Sequence, residues 1–158
     1  MQEILVALDQ ALFQSVSIST TAGFATTSFA DWPTLLPILL IFSSFIGGCA
    51  GSTGGGMKVI RVFLLYLQGV RELNKLVHPK AIFSIKLGKK ALPPRVIEAV
   101  WGFFAVYVVA FLTMMMMLLA TGLDFVTAFT AVAACINNLG PGLGDVAAHY
   151  GDINATAK

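Results

Sequence analysis

The chain has 158 residues, of which 57% are hydrophobic and only 11% charged, with a formal net charge of +2. An average soluble domain carries roughly twice that charge fraction. Residues 10–30, 32–57, 99–123 and 125–144 contain no Asp, Glu, Lys or Arg, and about 18 apolar residues suffice to cross the hydrocarbon of a bilayer. This excludes an ordinary water-soluble enzyme, a nucleic-acid binder and a disordered tail, and points to a protein of the membrane.

In chain order, 3–19 reads as a helix of moderate hydrophobicity, with Ile4, Leu5, Leu8, Leu12 and Val16 at helical spacing. It is too polar and too short for an ordinary span. It runs into the hydroxyl-rich Ser19-Thr20-Thr21-Ala22-Gly23-Phe24. Trp32 and Pro33 then open an apolar stretch to Ile46, as suits a helix that starts at a membrane surface. The run Gly47-Gly48-Cys49-Ala50-Gly51-Ser52-Thr53-Gly54-Gly55-Gly56 holds six glycines. Each costs a helix about 1 kcal/mol relative to Ala, so the helix breaks here. Broken backbone at membrane depth is tolerated only where it is buried in protein or lines a water-filled cavity, which makes this loop a functional candidate. Helix is expected again over 57–76.

Residues 78–95, punctuated by Pro79 and Pro93-Pro94, read as a connection. The cleanest transmembrane helix is expected over 96–121. Its Met114–Met117 run is packing rather than a soft-metal site, because consecutive helical positions point in different directions. Asp124 is placed as an N-cap, followed by a short helix to about Cys135. Pro141 and the flanking glycines of Ile136-Asn137-Asn138-Leu139-Gly140-Pro141-Gly142 forbid its continuation. Residues 149–158 are polar, with no further span.

The small net charge hides an asymmetry. Lys58, Arg61, Arg71, Lys75, Lys80, Lys86, Lys89, Lys90 and Arg95 are nine of the ten basic residues and share 58–95 with one acid, Glu72. Cationic segments beside spans stay in the cytoplasm, so 58–95 is placed inside the cell. Cys49 and Cys135 stand far apart without His or acidic companions, and a metal site needs several convergent ligands; both read as small core residues. Glu3 and the lack of a basic start leave no signal peptide visible.

A single unit occurs twice. Phe13, Val16 and Thr21-Ala22-Gly23-Phe24 are mirrored by Phe129, Val132 and Asn138-Leu139-Gly140-Pro141-Gly142, with one extra residue between the Phe and the turn in the second copy. The chain reads as half-membrane helix, turn, long span, basic cytoplasmic loop, long span, half-membrane helix, turn. One span leads inward and the next outward, so both turns face the outside if each half-helix is re-entrant. A re-entrant helix followed by a Gly-containing turn is the architecture of a cation filter. Backbone carbonyls replace the hydration shell of the ion, Gly adopts the required backbone without steric cost, and the helix directs its negative end at the ion.

These motifs resemble the Trk/Ktr/HKT potassium transporters. The run from Gly47 to Lys58 looks like their intramembrane loop. Residues 19–24 are similar to their third filter and 137–142 to their fourth. The stretch from Pro93-Pro94-Arg95 to Trp101-Gly102-Phe103-Phe104 resembles the bacterial TrkH-type membrane subunit. The resemblance implies an all-α integral membrane fold of M1–P–M2 potassium-channel-like repeats, with re-entrant pore helices and a broken M2 helix. Residues 1–76 would be the third-repeat pore helix, filter and M2, 77–95 a basic cytoplasmic linker, and 96–158 the fourth-repeat M1, pore helix and filter. The remaining repeats and the final M2 would lie outside this chain, which is then expected to be a fragment.

By the same resemblance, the carbonyls of Thr20, Thr21, Ala22 and Gly23 line one quadrant of a potassium filter, and those of Asn137, Asn138, Leu139 and Gly140 another. Gly47, Gly48, Gly51, Ser52, Thr53, Gly54, Gly55 and Gly56 form a gate loop below it. Potassium is the transported ion and no cofactor is implied. The implied partners are the lipid bilayer of a bacterial inner membrane, a second copy in a homodimer and a cytosolic nucleotide-binding TrkA-type regulatory subunit; nucleic acid is not among them. Two other readings compete. The run Gly51 to Lys58 superficially resembles a phosphate-binding loop, but Met57 precedes Lys58 and Val59 stands where Ser or Thr is needed. A membrane-anchored interaction protein could instead use the basic loop to dock a partner or anionic lipid. No nucleophile–base pair supports an enzyme.

Overall fold

The structure, a computed structural model, describes residues 2–33, 35–81, 83–88, 90–147, 149–151 and 153. Lys89 of the basic segment, and Asp152 and residues 154–158 of the polar end, lie outside the described residues. Among the described residues, five helices carry the fold: α1 (Gln2–Ser19), α2 (Leu35–Ile46), α3 (Val59–Val77), α4 (Pro94–Ala120) and α5 (Phe125–Ile136). Two short 3-10 turns, Phe29–Asp31 and Gly144–Val146, follow the two half-helix turns.

Helix α4 has 27 residues, about 40 Å at the helical rise, and is long and apolar enough to cross a membrane. By contrast α2 and α5 have 12 residues each, about 18 Å, which is little more than half the hydrocarbon thickness. Asp124 caps α5 as expected, its carboxylate accepting from the Val126 N–H at 3.1 Å. The Gly-rich stretch does interrupt the helix: α2 stops at Ile46 and α3 starts at Val59. The restart falls two residues later than expected because Gly56 and Lys58 both have φ of +73°, outside the right-handed helical region. Helix α4 also begins earlier than expected, at Pro94. The missing N–H of proline is unneeded in the first helical turn, so the second proline of the pair starts the helix rather than delaying it.

The fold is mostly helical, but the all-α expectation fails in the linker. Lys86–Leu87 (β1) and Lys90–Ala91 (β2) pair antiparallel, with Lys86 opposite Ala91 and Leu87 opposite Lys90. The connection is a two-residue one beginning at Gly88, whose φ is +60°, the left-handed value that short hairpins demand. Charge and proline content conceal this hairpin in the sequence.

Helix α1 packs on α2, α2 on α5, α5 on α4, and α4 on α3. The main core gathers Ile18, Phe29, Ile41, Phe111, Val132 and Leu139 around the C-terminal ends of α1 and α5. Phe45, Phe111 and Phe129 stack within 5.3–6.5 Å of one another there, an arrangement worth about 0.5–1.5 kcal/mol per pair beyond area burial. A second cluster of Leu64, Ile85, Ile97 and Val100 joins α3, the hairpin and α4. The Arg61 guanidinium lies 4.2 Å from the Phe103 ring centroid and pins α3 to α4. Near the end of α3, Glu72 accepts from Lys75 and Arg71.

Candidate functional site

Both half-helices end in the same way. After α1, the Thr21 N–H donates to Ile18 O at 3.1 Å and the Ala22 N–H to Ser17 O at 2.8 Å. After α5, the Asn138 N–H donates to Cys135 O at 3.2 Å and the Leu139 N–H to Ala134 O at 2.7 Å. This crossed pair of bonds is a Schellman cap, which satisfies the last helical carbonyls and turns the chain sharply. Backbone φ then alternates in sign identically in both copies. Thr21 and Gly23 are at +58° and +77°, and Asn138 and Gly140 at +54° and +95°. Alternate left-handed residues rotate successive peptide planes, so the carbonyls after each helix do not follow the helical direction.

The hydrogen bonds equate Thr20 with Asn137, Thr21 with Asn138, Ala22 with Leu139 and Gly23 with Gly140. They also correct the alignment of the half-helices: Phe13 falls opposite Thr130, and Phe129 opposite Leu12. The Phe shared by the two copies is therefore a coincidence of composition. Phe129 belongs to the aromatic core, whereas Phe13 is exposed.

The two turns lie side by side with the Gly-rich loop against them. A Cβ on Gly23 would overlap the Leu139 carbonyl oxygen, so only glycine lets the turns approach this closely. The loop is closed at its neck, where the Met57 N–H donates to Phe45 O at 2.9 Å and the Val59 N–H to Gly48 O at 3.2 Å. Its C-terminal limb reaches both turns. The Gly55 N–H donates to Thr21 Oγ1 at 2.7 Å, and a Cβ on Gly55 would overlap the Asn137 carbonyl oxygen. Gly54 sits against Thr20 O and Thr21 Oγ1, and Gly56 against Ser44 O and Gly47. Ser52 Oγ donates back to Cys49 O at 2.9 Å, while Gly51 has no close neighbour and Gly51, Ser52 and Thr53 are exposed. The structure thus brings the two expected quadrants and Gly47, Gly54, Gly55 and Gly56 of the loop into one cluster.

Of the eight expected carbonyls, that of Gly140 accepts from the Tyr150 hydroxyl at 2.9 Å. Those of Thr20, Thr21, Ala22, Gly23, Asn137, Asn138 and Leu139 accept no hydrogen bond from the described residues. Oxygens left without donors at the C-terminal ends of two helices, where the helix dipole is negative, suit a cation. The return strands are tied from behind. Gln14 Nε2 donates to Thr27 O at 2.7 Å, Ser17 Oγ to Phe24 O at 2.6 Å, and the Leu143 N–H to Thr130 Oγ1 at 2.9 Å.

Several supporting residues carry no pattern in the sequence. Lys58 Nζ donates to Ser52 O at 2.8 Å and to Gly54 O, folding a cation back onto the loop. Tyr107, Ser44 and Tyr150 also reach the cluster. The sequence offers little to single them out, since Ser43 stands beside Ser44 in α2 and Thr113 lies near Tyr107 in α4.

Residues 6–158 match the family model described as TrkH, a cation transport protein. The chain belongs to the TrkH cation transport family. Among TrkH relatives, the Trk system potassium uptake protein TrkH of Vibrio parahaemolyticus is 68% identical over 152 residues, covering 96% of this chain and 31% of the relative. The protein of the same name from Escherichia coli K12 is 58% identical over 154 residues, covering 98% of this chain and 32% of the relative. The crystal structure of the potassium transporter TrkH from Vibrio parahaemolyticus superposes with a TM-score of 0.89 at 67% identity, covering 97% of this chain and 33% of that one. The chain therefore spans about a third of the length of the curated relatives it matches.

Proposed function

We propose that this segment supplies two adjacent walls of a potassium-selective pore and the loop that gates it, within a bacterial potassium uptake system. The observation that carries this reading is the matched alternation of φ at Thr21/Gly23 and Asn138/Gly140 on two touching turns. In it, α1 and α5 are re-entrant pore helices, α2 and α3 the two halves of a broken M2, and α4 the following M1. Carbonyls of Thr20 to Gly23 and of Asn137 to Leu139 coordinate the dehydrated ion. Gly140 completes the second wall while its carbonyl is steadied by Tyr150. The loop under Thr20 and Asn137 blocks the path on the inner side.

The exposed apolar surfaces fit this arrangement. Ile4, Leu12 and Val16 on α1, and Val106, Val109 and Met116 on α4, are each at least 60% exposed, as expected of surfaces that meet lipid or further repeats. The basic segment 58–95 faces the cytoplasm and both turns face outward. A homodimer of the complete subunit and a cytosolic nucleotide-binding TrkA-type subunit are the proposed partners, and the "Trk system" name carried by the relatives supports a multi-component assembly. The reading involves no covalent chemistry.

The test is ion flux through the complete transporter subunit in liposomes. Gly23→Ser is expected to lower the preference for potassium over sodium, since a Cβ there collides with the neighbouring wall. Unchanged preference at normal protein abundance would contradict the filter assignment.

A further inference from the structure

The two walls are held by different means. On the first, Thr20 Oγ1 donates to Val16 O of its own helix at 2.6 Å and is exposed to the surroundings. On the second, the equivalent Asn137 is fully buried, and its side chain bonds to two other helices. Tyr107 of α4 donates its hydroxyl to Asn137 Oδ1 at 2.6 Å. Asn137 Nδ2 donates to Ser44 Oγ of α2 at 3.1 Å, and Ser44 Oγ in turn donates to Ile41 O at 2.6 Å. Ser44 is itself fully buried. The Tyr107 ring is wedged edge-on against Phe45 at 6.4 Å and lies 6.1 Å from Phe103, which leaves the hydroxyl little freedom.

This chain of bonds ends on the pore side. Asn137 O is the atom against which Gly55 of the loop is seated, and Ser44 O is the atom against which Gly56 is seated. The amide that Tyr107 and Ser44 clamp thus belongs to the residue whose carbonyl stands between the filter turn and the loop. A buried polar chain with each bond satisfied fixes one geometry, and loss of one member leaves the others unpaired at low dielectric.

We infer that Tyr107 and Ser44 are positioning residues for ion selection: through the Asn137 amide they fix the orientation of the second wall's carbonyls. Neither touches the ion path itself. The inference rests on the proposed filter and adds to it the device that holds one wall rigid from two neighbouring helices.

The experiment compares Tyr107→Phe, Ser44→Ala, their double variant and Gly140→Ser in the complete transporter subunit. Potassium and sodium fluxes are measured in liposomes at matched protein abundance. Tyr107→Phe keeps the ring and its aromatic neighbours and removes only the donor. The potassium-over-sodium preference is expected to fall about fivefold in either single variant, the scale of one lost buried hydrogen bond. The double variant is expected to fall no further than the worse single one, because both act through one amide. Full selectivity in both single variants, alongside a loss in Gly140→Ser, would overturn the positioning role and leave the filter standing. So would reduced abundance with the remaining protein still fully selective. Full selectivity in Gly140→Ser as well would overturn the filter reading, and this inference with it.

Discussion

A β-branched residue at positive φ is uncommon, and strain of this kind costs on the order of 1–3 kcal/mol. Thr21 has a φ of +58° and is held there from two sides. Its N–H completes the Schellman cap on Ile18 O, and its Oγ1 receives the Gly55 N–H of the loop. Thr21→Val keeps the shape and removes the acceptor, leaving the Gly55 N–H without its partner. It is expected to destabilise the seated loop by about 1–3 kcal/mol and to raise basal potassium flux, whereas Thr21→Ser retains both properties. Gly55→Ala acts at the same contact by overlap with Asn137 O. The expected cost is about 1–3 kcal/mol from overpacking, read as a lower melting temperature together with higher basal flux. Normal flux in both Thr21→Val and Gly55→Ala would mean that the loop does not control the path.

At the scale of elements, the half-helices depend on their ends more than on their length. Helix α5 is only 12 residues long, too short to persist alone, and Asp124 satisfies one of its first N–H groups. Asp124→Ala is expected to cost about 1 kcal/mol, seen as a fall in melting temperature with potassium-over-sodium preference unchanged. Shortening 47–56 is the opposite case: it should raise flux, and unaltered flux would make the loop a packing break rather than a gate.

Much of this level was legible in the sequence. Helical spacing places α1, uncharged length places α4, glycine content breaks the helix after Ile46, and Asp124 marks the start of α5. The hairpin was not legible, because β1 and β2 are two residues each and carry lysines that look like loop. Nor was the true pairing of the half-helices. The turns were already paired by their glycines, Thr21 with Asn138 and Gly23 with Gly140, but matching Phe13 to Phe129 compares composition, and the helix register shows only in the crossed hydrogen bonds. The cluster of turns and loop was legible as three motifs, but their contact was not, since Gly55 and Asn137 are far apart in the chain and meet only through tertiary packing. Tyr107 and Ser44 were not legible for the same reason: Ser43 and Thr113 in the same helices bond only to their own backbone, and what sets Tyr107 and Ser44 apart is a partner on another helix.

At the scale of the whole molecule, the proposed topology puts the polar cluster of turns on the outer side and a basic platform of α3 and the hairpin on the inner side. This sidedness is directly testable. With Cys49 and Cys135 replaced by alanine, a cysteine at Lys86 should react with a membrane-impermeant maleimide only from the cytoplasmic face. A cysteine at Thr26, exposed beyond the first turn, should react only from outside. Labelling of both from one face would contradict the re-entrant topology.

The central claim is that the carbonyls of the two turns bind the ion. The most direct measurement is anomalous X-ray scattering from crystals of the complete subunit soaked in rubidium, a heavier stand-in for potassium. The account predicts anomalous peaks within coordination distance of the carbonyls of Thr20 to Gly23 and of Asn137 to Leu139. Peaks confined to other parts of the protein, with none against these turns, would contradict it.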